Sequence, residues 1–119
     1  MTNTPKKRFL VLYLVPAQVI EDWGRTDPEK RKPAEEKMRA DWQQWMREHA
    51  AMIAITEAAG KTKSVAAGGV SDTKNDIMLY SIVEAESHEI AAKAFERHPH
   101  LEIPRSSIQL TELRPMGPQ

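Results

Sequence analysis

Phe9 to Val15 reads FLVLYLV, apolar on both parities: Phe9, Val11, Tyr13 and Val15 on one side, Leu10, Leu12 and Leu14 on the other. Strand side chains alternate between the two faces of a sheet, so such a run is a strand buried on both. Ile77 to Val83, IMLYSIV, repeats the pattern with one interruption, Ser81. Two doubly apolar strands belong at the centre of a sheet, and the remaining segments can be ordered around them.

Pro16 ends the first strand, and Ala17 to Arg25 shows no clean period, which predicts a loop. Asp27 before Pro28 is a helix start, an acceptor side chain followed by a residue that fits the first helical position. Pro33 lacks the N–H that a helix interior needs. The expectation is a short turn at 28 to 32 and then a main helix from Pro33 to Ala59, closed by Gly60. Along it Met38, Trp42, Trp45, Met46, Met52, Ile53 and Ile55 fall mostly three and four apart. Lys61 to Val70, with its β-branched centre and Gly68-Gly69 pair, is placed as the second strand, and Ser71 to Asp76 as a polar turn. Ser87 caps a second helix carrying Ile90, Ala91, Ala94 and Phe95, and Pro99 closes it. Ser106 to Leu113 alternates as a half-buried last strand, and Met116 to Gln119 reads as a frayed end.

The resulting order is the α+β, ferredoxin-like βαββαβ arrangement. Right-handed crossovers put both helices on one face of a four-stranded antiparallel sheet. The other face is left apolar and uncovered, so a second copy packing sheet on sheet, a homodimer, is the expected partner.

A chain of 119 residues has room for one domain, 1–119. Seventeen basic residues balance 17 acidic ones, which leaves no surplus charge to draw nucleic acid or an anionic membrane. There is no cysteine, hence no disulfide, thiol nucleophile or thiolate metal site, and the composition suits a cytoplasmic protein. Lys6, Lys7 and Arg8 read as a solvated basic leader; the apolar run behind them is too short for a membrane span, and no signal peptide is expected.

Five segments taken in order, FLVLY (Phe9 to Tyr13), WQQWM (Trp42 to Met46), YSIVEAES (Tyr80 to Ser87), HPHL (His98 to Leu101) and IQLTELRPM (Ile108 to Met116), resemble the YCII-related family of dimeric α+β barrels. The resemblance is to the branch often marked by a DGPF motif, where this sequence instead has VSDTKND, Val70 to Asp76. Founding members pair a histidine on the first helix with an aspartate before a proline at the end of the second. Here the residue before Pro99 is His98, and the nearest counterparts on the first helix are Asp41 and Trp42. The pair in its usual form is absent; a swapped version, with Asp41 orienting a basic His98, is chemically conceivable. Similar barrels act as small monooxygenases, isomerases or decarboxylases, so the fold leaves the reaction open.

The other candidates carry two readings each. Trp42, Trp45 and Met46 either line a ligand pocket between helix and sheet or are simple core. Arg114 either binds a carboxylate ligand or forms a salt bridge between subunits. His98, His100 and Glu102 are metal-ligating types without a metal-site spacing, and no metal or cofactor is expected. His98 can also be a charged helix-end residue facing the helix dipole. Two functions fit: a cofactor-free enzyme acting on a small organic molecule, or a non-catalytic homodimeric binding or interaction module. A histidine with a carboxylate partner in a cleft favours the first, and a cleft filled by Trp42 and Met46 the second.

Overall fold

The computed structural model describes residues 5–117, so the last two residues of the expected frayed end and the ends of the 1–119 domain reading lie outside the described residues. Six strands and three helices follow in the order β1 (Lys7–Leu14), α1 (Ala17–Gly24), α2 (Pro28–Glu48), β2 (Ile53–Ala58), β3 (Thr62–Ala66), β4 (Gly69–Thr73), β5 (Ile77–Ala85), α3 (His88–Ala94) and β6 (Ser107–Leu113), with a 3-10 turn at Pro99–Glu102. The main sheet is four-stranded in the order β2-β5-β1-β6, and every pairing is antiparallel. This is the ferredoxin-like α+β fold, with a separate hairpin, β3-β4, inserted before β5.

The doubly apolar strands, β1 and β5, are the two central ones. Phe9, Val11 and Tyr13 on β1 and Ser81, Val83 and Ala85 on β5 are buried beneath α2 and α3, where Trp45, Ala91 and Phe95 complete the core. On the opposite face Leu10 stands across from Ile82, Leu12 from Tyr80, and Ile82 from Ile55. Those side chains are half-buried or, for Ile55, 41% exposed, so among the described residues this face carries apolar side chains with no layer over them.

Several segments depart from the expected assignments. Ala17–Gly24 is a helix rather than a loop: Val19, Ile20 and Trp23 fall on one helical face, although none of its residues is buried. Pro28–Glu48 is one continuous helix with Pro33 inside it, capped by Asp27, whose carboxylate accepts the Glu29 N–H at 3.0 Å. Pro33 is tolerated because this part of α2 is exposed, so water can satisfy the carbonyl left without a donor. The helix ends at His49 rather than Gly60, and Ile53 and Ile55, counted above toward the helix, lie with Thr56 in β2. Their β-branched side chains suit a pleated strand, and pairing with β5 fixes them there. Lys61 to Val70 belongs to the hairpin rather than the main sheet, with Gly69 at φ +136° just after its Ala67-Gly68 turn. The basic leader is in part strand: Lys7 and Arg8 open β1, and Lys7 approaches Glu112 of β6 at 3.8 Å.

Candidate functional site

The segment Phe95 to Glu102 folds against the core for local reasons. Phe95 ends α3, and Pro99 obliges the residue before it to stay extended, which His98 does at φ −64°, ψ 137°. Pro99 then opens the 3-10 turn as its first residue, and the His98 ring caps it: the His100 N–H donates to His98 Nδ1 at 2.9 Å. A backbone N–H can only donate, so Nδ1 is bare and the proton of the neutral ring sits on Nε2.

His100 is oriented by the sheet. Its Nε2 lies 3.0 Å from the carbonyl of Leu14 at the end of β1, and since a carbonyl only accepts, Nε2 carries the proton and Nδ1 is the bare nitrogen. The Ser106 hydroxyl holds the His100 carbonyl at 2.9 Å. Both rings are buried, His98 at 1% and His100 at 0% exposure. Two polar atoms are left without a hydrogen-bond partner among the described residues: His98 Nε2, a donor, and His100 Nδ1, an acceptor. Leaving a buried donor or acceptor without a partner costs roughly 1–3 kcal/mol.

The walls are aromatic. Trp42 meets the His98 ring edge-on at 4.2 Å between centroids, Trp45 lies at 4.4 Å, Tyr13 at 5.3 Å and Phe95 at 5.8 Å. The two imidazoles are 6.5 Å apart, with Tyr13 5.6 Å from His100. The Tyr13 hydroxyl bonds the Ser81 hydroxyl at 2.9 Å, and Ser81 bonds Thr56 at 2.7 Å, so the one polar residue of IMLYSIV anchors a hydroxyl chain through the core. The Trp45 indole N–H donates to the Ala94 carbonyl at 3.2 Å, fixing α2 to α3.

Burial governs the electrostatics. It pulls His98 down from 6.5 to about 3, and the neighbouring imidazoles of His100 and His49 push the same way. Burial also lowers His100, against the pull of the Leu14 and Ser107 carbonyls. Both rings are therefore neutral near pH 7, and His98 is not a charged helix-end residue. Burial raises the Tyr13 hydroxyl, partly offset by its bond to Ser81.

Of the residues singled out above, the structure brings His98, Trp42 and Trp45 together, with Met46 half-buried against the same core. The carboxylate of Asp41 takes Lys37 Nζ at 2.7 Å, one turn back on α2, whereas the hydrogen bond of His98 goes to its own turn. Arg114 is 80% exposed and pairs with Glu112 at 3.3 Å. It follows the end of β6 that lies beside Arg8, while His100 sits at the Leu14 end of β1, about 20 Å away at strand spacing. Tyr13, Ser81 and Thr56 had no place among the candidates; the isolated Ser81 in an apolar run was the visible signal.

No group of three metal-ligating side chains occurs among the described residues. The His98 tautomer also leaves Nε2 protonated, the wrong form for a metal ligand. Away from these rings, an open groove of about 890 Å³ runs between α1 and the hairpin base, lined by Ile20, Lys61, Lys74 and Met78 among others. No helix among the described residues is long and apolar enough to cross a membrane.

A scan against protein-family models matches none, and no curated protein matches the sequence. Among solved structures, the chain is similar to 5-chloro-2-hydroxyhydroquinone dehydrochlorinase from Burkholderia phenoliruptrix AC1100, in complex with 2,5-dihydroxybenzoquinone. The identity is 16% and the TM-score 0.46, with 86% of this chain and 90% of that one covered.

Proposed function

We propose that this chain is a homodimeric binding module for a small polar organic molecule, held by the His98 Nε2–H donor and the His100 Nδ1 acceptor behind an aromatic wall. One observation carries the reading: two complementary, unpartnered nitrogens on neighbouring buried imidazoles. A ligand that brings an acceptor to the first and a donor to the second would satisfy both. Binding is favoured over acid–base catalysis because an efficient general base titrates near the working pH, whereas His98 sits near 3. Trp42 and Trp45 packed on His98 point the same way.

The second reading is a cofactor-free enzyme of the YCII-related family, in which His98 is the base and Asp41 its partner after leaving Lys37. Half-burial of Trp42, which leaves a side open to solvent, favours it. The segments from FLVLY to IQLTELRPM support that family, and the cysteine-free composition suits the cytoplasm. The homodimer is supported by the uncovered face of Leu10, Leu12, Tyr80, Ile82 and Ile55.

The test is a screen of small polar molecules, read by NMR shifts of the Trp42 indole. Hits are expected to weaken at least tenfold in His98→Leu and in His100→Leu, for proteins that remain folded. Hits indifferent to both substitutions contradict the site. Turnover of a hit by the unsubstituted protein, lost in His98→Leu, establishes the enzyme reading instead.

A further inference from the structure

Among the described residues the β3-β4 hairpin has no layer to lie on. All its residues are exposed apart from half-buried Thr62, including Val65 at 77% and Val70 at 64%. Val65 stands directly across from Val70, and Lys63 from Asp72, so these four share one face of the ribbon. That face has an apolar tip and an ion pair at 2.7 Å behind it. The other face is small throughout: Thr62 against Thr73, Ser64 against Ser71, Ala66 against Gly69. A two-stranded ribbon of this kind is marginal in water on its own.

The chain is more extended than a compact monomer of its length. The radius of gyration is 17.0 Å, against about 13.5 Å for a compact chain of this length. The accessible surface is 8958 Å², against about 6,500 Å² for a folded monomer of this mass. The excess, on the order of 2,000 Å², includes the protruding ribbon itself and leaves room for the roughly 800 Å² that each partner gives to a standard interface. The uncovered sheet face does not extend to the hairpin, but it adjoins it: the ribbon leaves β2, the edge strand, and returns into β5, whose Tyr80 and Ile82 lie on that face.

We propose that the β3-β4 hairpin is a dimer arm, which reaches past the sheet interface and lies on a second copy of the chain through Val65 and Val70. The inference rests on the homodimer reading above. It requires the arm to be ordered by the partner, not by its own subunit.

The experiment uses the full chain, with light scattering across a dilution series, hydrogen exchange at concentrations above and below dissociation, and the variant Val65→Asp/Val70→Asp. Amides of 62–73 are expected to be protected in the dimer and to lose that protection on dissociation. The variant is expected to weaken dimerisation at least a hundredfold, with β1 and β5 protected as before. A dimer whose affinity ignores the variant, and whose hairpin exchanges equally fast at both concentrations, overturns the arm and leaves the homodimer standing. A 13.5 kDa mass at every concentration overturns both.

Discussion

Lowering the pH from 6.5 to 4.5 is expected to destabilise the fold by roughly 2–3 kcal/mol, because protonating His98 in the unfolded chain is easy and in the native core is not. Its native value is lowered, to about 3 from 6.5. Below 6.5 the unfolded state therefore binds more protons, and stability falls toward pH 3 by at most about 1.4 kcal/mol per pH unit; above 6.5 this contribution is flat. His100, also lowered by burial, adds in the same direction. Urea midpoints at fixed protein concentration over pH 7.5 to 4.5 measure the effect, in a window above most carboxylate titration. His98→Asn keeps an acceptor for the His100 N–H without a titrating ring, so its pH slope should be shallower. A midpoint unchanged from pH 6.5 to 4.5 would show that both imidazoles accept protons in the folded protein as readily as in water.

Tyr13→Ala is expected to cost about 3–5 kcal/mol or more, the range for emptying an aromatic site in a core. Tyr13 is 0% exposed and is the ring on which Trp42, Phe95, His98 and His100 all converge. Tyr13→Phe should cost only about 1 kcal/mol, since Ser81 keeps its bond to Thr56. Denaturant unfolding of the two variants decides the matter. Equal losses would mean that the hydroxyl chain, rather than the ring, holds this region. A loss below about 1 kcal/mol for Tyr13→Ala would remove Tyr13 from the core.

The contrast between what was legible and what was not follows burial. β1 and β5 are apolar on both parities because they are central, and that pattern is local in the chain. The hairpin buries almost nothing, so no alternation marks it, and α1 is so short that Val19, Ile20 and Trp23 make little more than one turn of helical period. Ile53 and Ile55 continue the helical spacing of Trp45 and Met52 while also obeying the period of a strand, and only pairing with β5 separates the two. At the site, the HPHL turn could be read from Pro99, but its burial could not. The rings that enclose His98 come from Tyr13, Trp42, Trp45 and Phe95, far apart in sequence, and the tautomers depend on a backbone N–H and on the Leu14 carbonyl. The swapped Asp41 and His98 pair was a matter of residue type, whereas Lys37 at i−4 on the same helix is the neighbour that takes the Asp41 carboxylate.

The proposed function requires two neutral imidazoles that present one donor and one acceptor from a buried site. Nitrogen-15 NMR of the histidine rings, followed from pH 8 to 4, tests it most directly. His98 and His100 are both expected to be Nε2-protonated, with bare Nδ1 atoms, and the His98 signals are expected not to titrate above about pH 4. A His98 ring that titrates near 6.5, or carries its proton on Nδ1, would contradict it.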